Sequence, residues 1–340
     1  VKSGRIVIFP QAFSADLEEF TIPQPGPNQV LVEAEFSCIS VGTETKRYMD
    51  RYADSGVPQR PFPVRPGYAS VGTVVEVGSK VESMQPGERV LTMANHASHY
   101  LRTIGEDAID PVPHNVPSDQ AALGVLAQVA LAGVRRAPPE FGQAALVAGQ
   151  GVVGQMLVQF LKAAGCSPVI ATDIVDSRLD RSRLSGADVT VNTAQEDVYT
   201  AVMAATGDRG IERIYDVTPV PDALPSHLRV AAVRGCIVIL GGALGRVELN
   251  LYPDLFRRDL TLMGAFQPLT PIDETPHTPW TQRRHRRLYL DMLAGGKLRT
   301  EHLITHVMPP AQASATYAML AVGGEDSLGV LFDWRAGAAR

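Results

Sequence analysis

The stretch Ala144-Ala145-Leu146-Val147-Ala148-Gly149-Gln150-Gly151-Val152-Val153-Gly154 reads as a buried strand entering a glycine turn, with a helix expected over 155–164. Such a glycine pattern says little alone and much more between a strand and a helix. Gly149 permits the tight turn, Gly151 lets a pyrophosphate approach the main chain, and Gly154 lets helix and strand pack closely. The unpaired N–H groups of the helix start then face the phosphates. Gln150, Val152 and Val153 complete the expected cofactor loop. The next strand, 168–172, runs into Asp173, about 20 residues past Gly154, where an acid binds the adenosine ribose hydroxyls. A carboxylate there repels the 2′-phosphate of NADP, so NAD is the expected cofactor and NADP the lesser fit. Arg178, with Arg181 and Arg183, lies near enough to soften that preference. An ordinary turn acid is the plainer reading of Asp173.

Working outward, further apolar runs at 189–191, 213–217, 236–240 and 260–263 alternate with helical segments, the rhythm of βαβ units. A doubly wound parallel sheet, a Rossmann domain over 120–265, is therefore expected. Before it lie short strands, 5–8, 29–34, 70–77 and 89–91, punctuated by Pro and Gly, which make a small, mostly β domain. Ser118-Asp119 caps a helix expected from Gln120 to about Val134. After a Pro-rich loop, 267–279, comes a helix with Leu288, Tyr289, Met292 and Leu293 on one side. A strand from Leu303, a helix over 311–320 and a strand over 329–332 then rejoin the first domain. The chain is thus α/β, divided as 1–119 with 266–340 around 120–265.

Composition excludes several classes. The 340 residues are 45% apolar and 20% charged, as in globular proteins, and a net charge of −5 argues against nucleic-acid binding. The basic run Arg283-Arg284-His285-Arg286-Arg287 is short and reads as the solvated face of a helix. The longest apolar stretch, 121–134, is interrupted by Gln128 and too short to span a membrane. Val1-Lys2-Ser3-Gly4 precede an apolar run too short for a signal-peptide core, so a cytoplasmic protein is expected. The three cysteines, Cys38, Cys166 and Cys236, lie far apart and suggest neither disulfides nor a Cys-x-x-Cys metal site.

Taken together, Cys38-Ile39-Ser40-Val41-Gly42-Thr43-Glu44, Gly67-Tyr68-Ala69, Val74-Val75-Glu76-Val77-Gly78 and Gly87-Glu88-Arg89-Val90 resemble, in order and spacing, the medium-chain dehydrogenase/reductase superfamily. The resemblance implies a GroES-like catalytic domain around the Rossmann domain. It also implies where zinc would be held: at Val41, at Tyr68, and at Gly124 or Val125, none of which ligates zinc in the usual way. The family's structural-zinc cysteines have no counterpart in 93–102. No zinc is therefore expected in either place. His96 and His99 are a conceivable metal pair, but lack a third partner.

Without zinc, side chains must stabilise the developing oxyanion and move the proton. The resemblance gives Thr43 the hydroxyl that contacts the substrate oxygen. Tyr68 stands where the zinc-binding histidine would be; its phenol donates to a carbonyl oxygen or, with a lowered pKa, takes a proton. Glu44, at the second-shell acid position, becomes a base or binds substrate hydroxyls, and His96 is a further proton acceptor. His99, Gln128, His277 and Trp280 are expected substrate contacts. Plainer readings stand beside each: a turn for Thr43, a volume-filling ring for Tyr68, surface pairing with Lys46 or Arg47 for Glu44, loop positions for His96 and His99, and a core residue for Gln128.

The segment Ile39 to Glu44, the ending Asp326-Ser327-Leu328-Gly329-Val330-Leu331-Phe332-Asp333-Trp334 and the loop Pro276-His277-Thr278-Pro279-Trp280 look like a zinc-free branch. That branch holds bacteriochlorophyllide-type and sugar- or cyclitol-type dehydrogenases. It implies NAD-linked oxidation of a secondary alcohol on a sugar, polyol or cyclitol, or the reverse reduction. Three alternatives stay open: NADPH-dependent quinone or enone reduction, a redox-neutral elimination or epimerisation through transient oxidation, and NAD(H) sensing without turnover. A polar small molecule is the expected partner, without nucleic acid or membrane. The resemblance also implies a homodimer, paired through the edge strand at 260–263.

Overall fold

The computed structural model describes residues 3–53, 55–323 and 327–335; Asp326, Val1 and Lys2 lie outside them. The apolar runs of the middle of the chain pair, among the described residues, into a six-stranded parallel sheet. In spatial order its strands are Val189–Asn192, Val169–Asp173, Ala145–Ala148, Ile211–Asp216, Ala231–Ile239 and Thr261–Gly264. The strands go outward one way from Ala145–Ala148, then cross back and go outward the other way. This is the Rossmann order, and ligands bind at such a reversal, beyond the carboxyl ends of the two central strands. Burial on both faces explains the nearly unbroken apolar runs: Ala145 to Ala148 are all buried.

Segments from both ends of the chain form a second, mostly antiparallel scaffold, with one parallel pair. Its seven-stranded sheet runs Ile304–Met308, Gly329–Asp333, Gln29–Ile39, Ser70–Val77, Arg89–Thr92 and Ile109–Pro111, with His99–Thr103 also paired to Gln29–Ile39. Gly329–Asp333 returns antiparallel to Gln29–Ile39, setting Val330 opposite Ile39 and Phe332 opposite Ser37. Beneath lies a core containing Val7, Phe9, Tyr48, Tyr317, Phe332 and Trp334. Two elements here carry little sequence signal. Asp16–Thr21 alternates poorly because most of its residues are wet, and Val41–Tyr48 is a helix of only two turns.

The compact units are Val1–Leu126 with Arg286–Arg340, and Ala127–His285. The second break falls later than 265/266 because the loop stays with the nucleotide-binding unit: the Arg135 guanidinium lies over Trp280, 3.5 Å from the ring centroid. The basic run is not wholly solvated either. Arg286 is buried in the helix Gln282–Ala294, with its Nε 2.7 Å from the buried Asp110 carboxylate. No helix of the described residues is long and apolar enough to cross a membrane.

Candidate functional site

In the nucleotide-binding unit the three glycines meet different surroundings. Gly149 has φ +90°, which favours glycine, and lies against Thr218. A Cβ on Gly154 would fall 1.9 Å from the Gly149 carbonyl oxygen, so helix and turn are in direct contact there. Gly151 faces open space, with nothing within 4 Å of where its Cβ would be. It is the N-cap of the helix Val152–Ala163, which starts three residues earlier than expected and turns the N–H groups of Val152 and Val153 into its first turn.

Gln150 does not offer its side chain to a ligand. It is fully buried, giving its Nε2 to the Val147 carbonyl and accepting from Ser182 Oγ. Gln155 adds bonds to Ser182 and to the Arg178 carbonyl, so the loop is tied to the helix Asp176–Leu184. Asp173 accepts from the Gln150 N–H at 2.6 Å and from those of Ile174 and Val175. The carboxylate is thereby fixed beside the glycine turn, at the end of the second strand. Arg178 is half-buried on the same helix.

The other expected residues lie in the first unit or in loops, except Gln128, which is on the helix Gly124–Arg136 in the second unit. Glu44 is 3% exposed and accepts three hydrogen bonds. The Ser40 N–H reaches Oε1 at 2.8 Å; Oε2 takes His96 Nε2 at 2.9 Å and the Tyr317 hydroxyl at 2.6 Å. His96 is fully buried, and its Nδ1 lies 2.7 Å from Ser37 Oγ, which also accepts from Trp334 Nε1. The set is satisfied with Nε2 assigned as the donor to the carboxylate. Glu44 and His96 thus form a buried anchor, not the surface pairing with Lys46 or Arg47. Burial and the Glu44 charge hold the Tyr317 phenol well above the usual tyrosine range.

Above this anchor sits Tyr68. Its turn depends on Gly67, at φ +94°, where a Cβ would lie 2.6 Å from the His96 backbone nitrogen. The Tyr68 hydroxyl is 2.5 Å from Ser40 Oγ and also hydrogen-bonds Thr43, whose residue is exposed. Burial, followed by the Glu44 charge, outweighs these two bonds and pushes the phenol up to about 12. It is therefore protonated at neutral pH, contrary to the lowered pKa that a base would need. Burial lowers the pKa of Lys46 on the same helix.

The remaining candidates are scattered. His99 is half-buried beside Ser98 and Glu33, and helps line a cavity of about 360 Å³ whose walls include Arg65, Asn95 and Arg102 but neither Tyr68 nor Glu44. Gln128 is buried within the helix Gly124–Arg136, and His277 is exposed. Trp280 is occupied: the guanidinium groups of Arg135 and Arg284 lie over its ring and it stacks near His285. Ser37, Ser40, Tyr317 and Trp334 were not expected. Ser40 stands inside the quoted motif, but Tyr317 comes from the helix Ala313–Ala321 and Trp334 from just past the strand Gly329–Asp333.

The same geometry tests the fit to zinc. Val41 and Tyr68 supply no usual ligand, Gly124 is packed on Leu91 and Tyr289, and both His96 ring nitrogens are engaged. Burial, then the Glu44 charge, raises the Cys38 thiol, opposing the thiolate form that binds metal. Among the described residues no group of three or more His, Cys, Asp or Glu side chains gathers for a metal ion. This donor set does not fit a zinc ion.

Comparison with known proteins agrees with the two-part fold. Residues 26–137 match the alcohol dehydrogenase GroES-like domain and residues 152–277 the family described as zinc-binding dehydrogenase. The chain is 28% identical over 329 residues to an L-threonine 3-dehydrogenase of Pyrococcus abyssi, covering 87% of this chain and 88% of that protein. It is 28% identical over 253 residues to a D-guloside 3-dehydrogenase of Escherichia coli, covering 74% and 72%. A Sinorhizobium meliloti structure described as a zinc-binding dehydrogenase bound to NADP superposes with a TM-score of 0.83 at 22% identity, over 98% of this chain and 100% of that one.

Proposed function

We propose that this chain, which belongs to the zinc-type alcohol dehydrogenase-like superfamily of medium-chain dehydrogenases and reductases, works without zinc, uses NAD, and acts on a secondary alcohol or ketone of a sugar, polyol or cyclitol. It is an oxidoreductase of CH–OH groups with a nicotinamide cofactor. The observation that carries the finer reading is Tyr68: a protonated phenol, held between two hydroxyls, where the superfamily resemblance puts a zinc ligand.

Bound NAD supplies the hydride acceptor, or NADH the donor. The helix start at Gly151 to Val153 would hold the pyrophosphate, and Asp173 would hold the adenosine ribose and disfavour a 2′-phosphate. In the reductive direction the Tyr68 phenol donates to the substrate carbonyl oxygen and gives up its proton as that oxygen becomes an alkoxide. Thr43 supports the phenol. Glu44 and His96 hold the turn and helix that carry these hydroxyls. The guloside relative supports a polyhydroxylated substrate, and the exposed edge strand Thr261–Gly264 supports a homodimer.

The test is a panel of sugars, sugar acids, cyclitols and simple alcohols incubated with NAD⁺ and chelator-treated, metal-assayed protein. NADH absorbance and product masses are followed together. NADH formed with one polyhydroxylated class, unchanged by the chelator, is expected. Activity that vanishes with the metal refutes zinc independence. A changed product mass without NADH points to the redox-neutral alternative.

A further inference from the structure

We propose that Ser40 is a positioning residue for the reaction: its hydroxyl fixes the Tyr68 phenol, and the buried Glu44, His96 and Tyr317 fix Ser40. This rests on the reading of Tyr68 as the proton donor. Ser40 occupies the N-cap of the helix Val41–Tyr48, where a serine hydroxyl ordinarily accepts from an N–H of the first turn. Here it makes no such bond. Instead its Oγ takes the Tyr68 hydroxyl at 2.5 Å, and the residue is only 7% exposed.

The forgone cap is partly replaced from below. Glu44 Oε1 accepts the Ser40 N–H at 2.8 Å, the reciprocal half of a capping box shifted by one residue. Glu44 cannot follow Ser40 elsewhere, because its other oxygen is held by His96 and Tyr317. His96 is held in turn by Ser37, and Ser37 by Trp334. A continuous series of hydrogen bonds therefore leads from the core to the phenol, and Ser40 is its last member.

The chemistry uses both faces of the serine hydroxyl. At rest the Tyr68 O–H donates to Ser40 Oγ. During reduction, for which bound NADH would supply hydride to the carbonyl carbon, the carbonyl oxygen receives the Tyr68 proton. The Tyr68 O–H bond breaks, and the electron pair stays on the phenolic oxygen. Ser40 then turns its own O–H toward that phenolate, beside Thr43, until water restores the proton. Glu44 and Cys38 are the titratable groups that oppose the phenolate, and the two hydroxyls favour it.

The experiment needs no substrate. The protein is labelled with 3-fluorotyrosine, its nine tyrosines resolved by ¹⁹F NMR, and the Tyr68 signal assigned with Tyr68→Phe. Ser40→Ala should move that signal and raise its titration midpoint, and Ser40→Thr should restore both. NADH affinity, read by fluorescence, should stay unchanged. With any substrate that the panel yields, Ser40→Ala should lower kcat at least tenfold with little change in KM. Should Ser40→Ala fail to fold, Ser40→Cys, with its poor acceptor, answers the same question. A Tyr68 signal and midpoint unmoved by losing the serine oxygen overturn the proposal. Absence of turnover on every polyol instead counts against the substrate reading, because the fluorine readout does not depend on it.

Discussion

Adding one methyl group at Gly154 and, separately, at Gly151 should break the protein in two different ways. At Gly154 the new Cβ would lie 1.9 Å from the Gly149 carbonyl oxygen and 3.0 Å from its carbon. Those atoms are main chain, so no side chain can swing aside. Overpacking of this kind costs about 1–3 kcal/mol, and a rigid neighbour argues for the upper end. Alanine regains about 1 kcal/mol of helix propensity over glycine. The net is a loss of about 2 kcal/mol, which shifts the folding equilibrium roughly thirtyfold. At Gly151 nothing lies within 4 Å, and φ is −69°, which alanine adopts freely. Stability should then fall by less than about 1 kcal/mol, the difference between glycine and alanine at an N-cap. The methyl group would, however, occupy the space a pyrophosphate needs. Urea unfolding without cofactor and NADH fluorescence titration separate the two effects. Gly154→Ala should lower the unfolding midpoint; Gly151→Ala should leave it nearly unchanged and weaken NADH binding at least tenfold. If Gly151→Ala binds NADH as tightly as the parent, or if Gly154→Ala unfolds at the parent's midpoint, the assignment of this turn is wrong.

Three further outcomes follow from the site. Glu44→Ala leaves three buried donors without their acceptor and should cost about 3–5 kcal/mol in urea unfolding, whereas Glu44→Gln, keeping one oxygen, should cost clearly less. Asp173→Ser should move the ratio of NAD⁺ to NADP⁺ affinity toward NADP⁺ by roughly tenfold, or about 1.4 kcal/mol, in paired binding titrations. Tyr68→Phe should lower kcat about a hundredfold with unchanged NADH affinity. It should also flatten alkaline denaturation. The folded protein holds the Tyr68 proton to about 12, against an ordinary value near 10, so that stabilisation is whole below pH 10 and lost between 10 and 12. Unfolding midpoints of parent and variant across this range check the sign.

The nucleotide-binding half was legible because its signals are local. A strand, a glycine turn and a helix lie within about twenty residues, and the buried parallel strands read as plain apolar runs. Even there the helix starts three residues earlier than the pattern suggests. Three residues of the turn already have helical geometry, and the burial of the Gln150 amide depends on Ser182, outside the turn. In the other half, motif order identified the segments around Glu44 and Tyr68, but not their environment. Nothing in the local sequence tells that Glu44 is buried, since its partners come from residues 96 and 317. Asp16–Thr21 was missed because a mostly wet strand loses the alternation by which strands are recognised. Trp280 looked like a substrate wall because an aromatic in a proline-rich loop carries no mark of the two arginines that cover it.

The C-terminal helix and strand also set a timetable. Tyr317 lies 273 residues after Glu44, and Trp334 lies 297 after Ser37. At roughly 5–20 residues per second, a ribosome needs on the order of 15–60 s to deliver the hydroxyl that Glu44 awaits. Until then the emerging first unit carries a carboxylate without its full set of donors, and water must stand in for them. The stretch 127–285 is continuous in sequence and faces no such delay. A growing chain can therefore complete the glycine turn and its sheet while the Ser40 and Tyr68 hydroxyls still hang from an unclosed core.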